Sequence, residues 1–214
     1  YKFKEEWIMT GHVITQSNNL DRGRVTGGDT NVTGRYRYND IFSMAWLSHI
    51  ISAVVETGVP DALGDEPMSA DDLAKPGGLH APTLHRVLRA LEANGIFERK
   101  KDGRYQHNDL SRQLRKDHPF SWAGMARMWG HDVTSLSWQQ VGKNLKNGKS
   151  GIENATGKTL YDYLHEDLGA AQAFAGAMDS NSAHASGEIA RVFPFNKYSS
   201  VTDLGGGIGT MLAM

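Results

Sequence analysis

The sequence predicts a mainly α-helical protein with a winged helix-turn-helix domain in its N-terminal part, followed by the truncated start of an α/β Rossmann-like domain. Apolar residues recur at helical spacing along most of the chain, which favours a mostly helical structure. Two helical patterns and a hairpin pattern follow one another between residues 69 and 107. A short β-type run then leads into a glycine cluster at residues 201–209, as in the first strand, loop and helix of a nucleotide-binding sheet.

The composition is that of an ordinary globular protein, with 39% hydrophobic and 22% charged residues among 214. The formal net charge of −1 gives no reason to expect nucleic acid or an anionic membrane as a partner. Because the chain has no cysteine, disulfides and thiolate metal sites are excluded, and we predict no metal site. No apolar run is long enough to span a bilayer, and no signal-peptide pattern is present. We therefore expect a cytoplasmic protein.

Three segments are expected along the chain. Residues 1–37 are predicted to form a poorly defined N-terminal arm, with a hairpin around Gly27-Gly28 as one interpretation. Residues 38–150 are predicted to form the helical winged-helix domain. Residues 151–214 are predicted to contain linker helices and the first strand and glycine loop of an incomplete Rossmann-like domain. Both termini look cut, because the chain starts without methionine and ends inside the helix that should follow the glycine loop.

Cap and turn signals predict the elements of the N-terminal domain. A long apolar helix is expected to begin near Asn39, and Trp46 lies outside a single narrow stripe, so more than one side of this helix should be covered, in a large core or at a subunit interface. Ser69 is placed to cap a short helix. A second helix is expected over 81–93, and a hairpin within 96–107 completes a winged helix-turn-helix.

Basic residues in this motif allow a DNA-binding hypothesis, because phosphate contacts need them. They lie in the second helix and in the wing: His85, Arg86, Arg89, Arg99, Lys100, Lys101 and Arg104. Acidic residues are interspersed among them at Glu92, Glu98 and Asp102. A solvated face on a packing module is therefore the favoured interpretation, and we do not expect nucleic acid as a partner.

Further helices are predicted in the second half of the chain. One runs through Leu136 to Leu145, one starts at Thr159, and an alanine-rich helix covers residues 168–192. Before them, a stripe of aromatic and methionine residues contains Phe120, Trp122, Met125, Met128 and Trp129. Such a stripe suits a core or the wall of a pocket for an aromatic substrate, and the pattern leaves both interpretations open.

The glycine cluster has the spacing Asp203-x-Gly205-x-Gly207-x-Gly209. It lacks the two-residue gap of the dinucleotide fingerprint and the Gly-Lys-Ser/Thr ending of a phosphate-binding loop, so neither site is predicted. Glycines have no Cβ, which leaves room for a ligand against the backbone. The run from Val201 to Gly209 closely resembles motif I of class I S-adenosylmethionine-dependent methyltransferases.

The order of the parts extends this resemblance to residues 38–214. The chain is similar to small-molecule O-methyltransferases of the plant caffeate and bacterial polyketide-tailoring type, which carry a helical, winged-helix dimerisation domain before a Rossmann-like methyltransferase domain. The resemblance rests on segments 84–91, 94–97 and 174–178 and on the motif I run. It implies S-adenosyl-L-methionine as cofactor, a small aromatic substrate and a homodimer formed by the N-terminal domain, with no membrane partner.

The resemblance also implies which residues form the site. The cofactor would be bound by Asp203, Gly205, Gly206, Gly207, Gly209, Met178, Asp179 and Ser180. The substrate pocket would contain Met125, Trp129, Phe174 and Met178. The general base of the family would lie beyond Met214, so no catalytic residue is assigned, and none of His131, His165 and His184 is given that role.

The predicted function is therefore transfer of a methyl group from S-adenosylmethionine to a hydroxyl of a small aromatic molecule, with this chain an incomplete portion of the enzyme. The alternative is a winged-helix regulator, or a catalytically inactive methyltransferase-like protein that retains dimerisation.

Overall fold

The computed structural model describes residues 30–207 and 209–213 of the chain. Its elements are, in chain order, α1 (Thr30–Glu56), α2 (Val59–Leu63), α3 (Ala70–Ala74), α4 (Ala81–Ala93), β1 (Glu98–Arg99), β2 (Tyr105–Gln106), α5 (Asp109–Arg112), α6 (Ala123–Gly130), α7 (Asp132–Trp138), α8 (Val141–Asn147), α9 (Gly151–Thr156), α10 (Leu160–Glu166), α11 (Leu168–Val192), a 3-10 turn (Phe195–Lys197) and α12 (Thr210–Ala213). Apart from the first turns of α1, the features below lie in the unit formed by residues 40–214. Within the described residues, no helix combines the length and apolar character needed to cross a membrane.

The first core lies where α1, α3 and α4 meet the hairpin. The bounds of α4 are those predicted from the sequence, and its leucines Leu84, Leu88 and Leu91 are buried. Ser69 caps α3 as predicted, since its hydroxyl accepts the N–H of Asp72 at 3.0 Å. Neighbouring elements contribute Val59, Leu63, Leu73, Phe97 and Tyr105 to the same core. Burial of these side chains is the main force that holds the N-terminal elements together.

The predicted hairpin forms, but its strands are only two residues long each. β1 and β2 pair antiparallel, with Arg99 opposite Tyr105. Met68 adds a bridge, because its N–H and C=O each bond to Tyr105 at 2.8 Å. Pairing does not extend back to Phe97, whose φ of 68° departs from extended backbone.

α11 crosses α6 with almost no space between the two backbones. A Cβ built on Gly124 of α6 would lie 2.0 Å from the carbonyl oxygen of Gly176 in α11. Small buried residues of α11 continue this face: Ala170, Ala177, Ser180 and Ala183. Because the two backbones touch, the crossing fixes which face α11 turns toward the rest of the chain.

α1 begins earlier than the sequence predicted. It starts at Thr30, so residues 30–37 of the predicted arm belong to this helix, and the hairpin around Gly27-Gly28 lies outside the described residues. The predicted start near Asn39 relied on apolar spacing that begins at Ile41, and the helix continues on the N-terminal side of that pattern. Trp46 is 69% exposed, so the described residues do not cover the second side of this helix.

The single helix predicted to run through Leu136 to Leu145 is two helices, α7 and α8. At the break, Gln140 donates its N–H to the Ser137 carbonyl only three residues back, at 3.1 Å. α9 packs against the same carbonyl, since a Cβ on Gly151 would lie 2.4 Å from it. This close approach favours a turn over a straight helix. α11 has the predicted bounds of residues 168–192.

The strand predicted before the glycine loop is not formed. Residues 199–203 take part in no ladder, and the β1–β2 pair is the one sheet among the described residues. A parallel strand is stable only beside neighbouring strands, and the described part of the chain offers it none. The strand is therefore absent from the described residues, because local sequence alone does not supply the neighbouring strands that it needs.

Candidate functional site

The glycine loop presents bare backbone to open space. Gly205, Gly207 and Gly209 have φ values of 80°, 57° and 86°, in the left-handed region that glycine adopts without strain. A Cβ built on any of these three residues would meet no atom within 4 Å. The space above their peptides is therefore accessible to a ligand.

Gly206 has the opposite environment. A Cβ there would lie 2.5 Å from Oδ2 of Asp203, so this carboxylate packs directly against the loop. Gly209 closes the loop by donating its N–H to the Gly206 carbonyl at 2.8 Å, and α12 starts at Thr210. The loop thus needs glycine at position 206 because a Cβ has no room there. At positions 205, 207 and 209 it needs glycine because the φ angles are positive.

α11 forms the wall opposite the loop. The Thr210 hydroxyl donates a hydrogen bond to Oδ1 of Asp179, which ties the start of α12 to α11. Phe174 and Met178 lie one turn apart on α11 and reach the same space as Asp179. Side chains from one face of α11 therefore meet the glycine loop.

A cleft of about 550 Å³ lies between α11 and the loop. Its polar lining includes two carboxylates, those of Asp179 and Asp203, with Asn181, Ser182 and Thr210 beside them. None of the described residues that line it is a lysine, arginine or histidine. Two carboxylates without a cation favour a positively charged ligand and disfavour a phosphate.

A second space, which we call the α7 cavity, adjoins this cleft. It has a volume of about 180 Å³, and Phe174 lines both spaces. Its wall is mostly apolar, with Met128, Val133, Ile152, Leu160, Leu164 and Ala173. Its polar lining residues are His131, which caps α7, and Thr134 and Ser137 of α7. An apolar cavity with a few polar groups suits a small organic ligand.

Most of the predicted cofactor residues come together at the cleft. It is lined by Asp203, Gly205, Gly206, Gly207, Met178 and Asp179, and Gly209 closes the loop. Ser180 does not reach this space. It is buried on the face of α11 that contacts α6, where its Oγ lies 2.9 Å from the position of a Cβ on Gly124.

The four predicted substrate residues separate into two places. Phe174 and Met178 line the cleft. Met125 and Trp129 instead line a groove of about 280 Å³ on another side of α6, beside α5. Gly124 is the residue of α6 that faces α11, and Met125 follows it by about 100° around the helix, which turns it away from the cleft.

Sequence reasoning missed six residues that line the cleft: Tyr161, Ala175, Asn181, Ser182, Thr210 and Met211. Asn181 and Ser182 follow Met178 by three and four residues, so helical spacing is the signal that identifies them. Tyr161 has no comparable signal, because its position depends on how α10 packs against α11.

A helical N-terminal part, a glycine loop after it and a cleft lined by carboxylates are features of class I methyltransferases that act on small molecules. Residues 39–117 match the O-methyltransferase dimerisation domain, and residues 138–214 match the O-methyltransferase domain. The chain belongs to the O-methyltransferase family that combines these two domains.

Relatives agree with this assignment. The chain is 33% identical over 176 residues to the mitomycin biosynthesis 6-O-methyltransferase of Streptomyces lavendulae, a match that covers 82% of this chain and 50% of that enzyme. The solved structure of the mitomycin 7-O-methyltransferase MmcR has a TM-score of 0.71 at 32% identity and covers 85% of this chain and 54% of that one. The structure of CalO1, a methyltransferase in calicheamicin biosynthesis solved in its SAH-bound form, has a TM-score of 0.73 at 26% identity. This match covers 87% of our chain and 55% of CalO1. The chain spans about half the length of the curated relatives it matches.

Proposed function

We propose that the full-length protein transfers a methyl group from S-adenosylmethionine to a hydroxyl of a small aromatic molecule. The cleft is the observation that carries this proposal. It combines open glycine peptides with the carboxylates of Asp179 and Asp203, and no basic side chain is among its described lining residues. A sulfonium nucleoside is positively charged and suits this lining, whereas the phosphates of a nucleotide would be repelled.

The predicted cofactor residues would hold the nucleoside in different ways. Gly205, Gly207 and Gly209 leave the backbone open, while Asp179 and Asp203 supply negative charge. Met178 supplies apolar surface, and Ser180 would act only through its packing on α6. When bound, S-adenosylmethionine supplies a methyl group that its positive sulfur activates, so the task of the chain is to align the reactants and exclude water.

We assign the aromatic acceptor to the α7 cavity. Phe174 lines this cavity and the cleft, so an acceptor there would lie beside the cofactor. The cavity is smaller than the about 300–1,000 Å³ of drug-sized sites, which favours an acceptor of one or two rings. Phe174 and Met178 remain in the proposed substrate wall. Met125 and Trp129 line a separate groove, and we do not include them in the contact surface.

Isothermal titration calorimetry on the full-length protein tests the cofactor assignment. We expect S-adenosylhomocysteine to bind, and ATP not to bind although it shares the adenosine, because its phosphates would meet the two carboxylates. Mass spectrometry then follows methyl transfer from S-adenosylmethionine to simple phenols. Binding of ATP without binding of S-adenosylhomocysteine would contradict the proposal.

We also propose that residues 38–150 form a winged-helix dimerisation domain, and that residues 151–214 begin the Rossmann-like domain. The order of α3, α4 and the hairpin, and the core they share, support the winged helix. The match of residues 39–117 to a dimerisation domain supports a homodimer. Exposed apolar side chains of α1, at Ile41, Met44 and Trp46, suit contact with a second copy.

The alternative function, a DNA-binding regulator, has less support from the wing. Lys100 pairs with Glu98 at 3.3 Å, and Arg104 pairs with Asp102 at 2.8 Å. These carboxylates offset the positive charge that phosphate contacts need. A salt-dependent shift of a fluorescent DNA duplex would favour the regulator, and we expect no shift.

A further inference from the structure

His131 lies in the wall of the α7 cavity and also caps α7. Its Nδ1 accepts the backbone N–H of Val133 at 3.3 Å, which satisfies one of the free donors of the first helical turn. The ring is therefore held in place by the start of the helix. Its other nitrogen, Nε2, is left for a different partner.

The capping bond determines which nitrogen carries the proton. A neutral imidazole that accepts at Nδ1 must be protonated at Nε2, so Nε2 is a donor. Within the described part of the chain, Nε2 has no hydrogen-bond partner. It lies near the first turn of α11, 3.8 Å from the position that a Cβ would take on Gly169.

The nearby carboxylate of Asp167 is already engaged. Its Oδ1 accepts the N–H of Ala170 at 2.9 Å, and its Oδ2 accepts the hydroxyl of Tyr163 at 3.0 Å. The bonds from Ala170 and Tyr163 hold the pKa of the Asp167 carboxyl below its usual value. Asp167 stays a carboxylate near the ring without taking the Nε2 proton in a hydrogen bond.

The hydroxyl groups of the other two polar lining residues donate to backbone carbonyls. Thr134 donates its hydroxyl to the Met128 carbonyl at 2.6 Å, and Ser137 donates its hydroxyl to the Val133 carbonyl at 2.7 Å. Trp138 also lines the cavity, but this residue is 61% exposed. Of the three polar lining residues, His131 is therefore the one whose donor is not bonded to the backbone, while its ring is held in place by the cap.

We propose that His131 is a specificity-determining residue, which donates a hydrogen bond from Nε2 to a carbonyl oxygen on the aromatic acceptor. The inference rests on the proposed function, because it assumes that the acceptor occupies the α7 cavity. The substrate class would then be a phenol that carries a carbonyl group away from the hydroxyl to be methylated.

Two single substitutions separate the two roles of the ring. In His131→Asn, the amide oxygen takes the place of Nδ1 and preserves the cap, while the donor at the position of Nε2 is lost. In His131→Gln, the longer amide places a donor near the position of Nε2 but loses the cap. We expect His131→Asn to keep the stability of the wild type and lose its selectivity for the carbonyl group. We expect His131→Gln to be less stable and to keep that selectivity.

The test measures calorimetric binding of two probes of equal length, para-hydroxyacetophenone and para-ethylphenol, to the full-length protein saturated with S-adenosylhomocysteine. One neutral hydrogen bond predicts about threefold to tenfold tighter binding of the carbonyl probe by the wild type. We expect this preference to disappear in His131→Asn and to persist in His131→Gln.

Each other result overturns the inference. Equal binding of the two probes by the wild type, or an unchanged preference in His131→Asn, would show that Nε2 does not select the ligand. If these results accompany normal binding of S-adenosylhomocysteine, the inference fails while the proposed function stands. If S-adenosylhomocysteine does not bind, the proposed function fails and the inference fails with it.

Discussion

Gly206 and Asp203 are packed so closely that the loop has no room for a side chain between them. Gly206→Ala would place a Cβ 2.5 Å from Oδ2 of Asp203. Overpacking of this kind costs about 1–3 kcal/mol, so we expect affinity for S-adenosylhomocysteine to fall by about tenfold, measured by calorimetry. Gly142→Ala in α8 is the matched control, because its Cβ would meet nothing within 4 Å. Unchanged affinity in Gly206→Ala would argue against a role for the loop in binding.

His107 makes the stability of the fold depend on pH. It is buried, and its ring nitrogens bond to Ser111 Oγ at 3.0 Å and to the Pro60 carbonyl at 2.9 Å. Burial lowers the pKa of the His107 imidazole below its usual 6.5, although the bond to Pro60 opposes this. The unfolded chain therefore takes up the proton first as the pH falls, so stability is complete above about pH 6.5 and declines below it.

His107→Gln should flatten this decline, because glutamine retains a donor for the Pro60 carbonyl and does not titrate. One proton contributes at most about 1.4 kcal/mol per pH unit to the slope, which denaturant unfolding between pH 5 and 8 would resolve. His165→Gln is the control, since the side chain of His165 is exposed. An equal slope in wild type and His107→Gln would rule out His107 as the source.

Sequence identifies site residues well where they are neighbours along the chain. Asp203 and the glycines after it form one turn, so their spacing alone predicts that they act together. The spacing of Met125 and Trp129 did not predict which side of α6 they occupy. They share α6 with Met128, and only the contact of Gly124 with α11 determines that Met128 faces the α7 cavity.

The crossing of α6 and α11 predicts an asymmetric response to alanine. A Cβ on Gly124 would lie 2.0 Å from the Gly176 carbonyl oxygen, whereas a Cβ on Gly176 would lie 3.5 Å from Gly124 Cα, an ordinary contact. We expect Gly124→Ala to lower the free energy of unfolding by about 1–3 kcal/mol and Gly176→Ala to change it little. Urea denaturation measures both, and equal losses would mean that the helices do not cross at these residues.

Helices with strong local signals were predicted well, and elements that need distant partners were not. The bounds of α4 and α11 are confirmed, because their caps and apolar spacing lie within their own sequence. The break between α7 and α8 depends on α9, and the missing strand at residues 199–203 depends on neighbours that local sequence does not contain. Tertiary contacts override propensity at these places.

The proposed homodimer predicts a clear change in mass when α1 is altered. Trp46→Asp would place a charge on the exposed apolar side of α1 and should convert the dimer to a monomer in analytical ultracentrifugation. Leu145→Asp in α8 is the control, because Leu145 is also exposed but lies outside α1. A dimer that survives the change at Trp46 would place the interface elsewhere.

The acidic lining of the cleft also bears on how spent cofactor leaves. Once the methyl group has gone, the sulfonium becomes a neutral thioether, and its attraction to Asp179 and Asp203 weakens at that moment. Replacement of product by fresh donor would then be favoured by charge alone. Added salt should reduce the difference between the affinities for S-adenosylmethionine and S-adenosylhomocysteine. Salt screens the attraction between the sulfonium and the two carboxylates, and it has little effect on the neutral thioether.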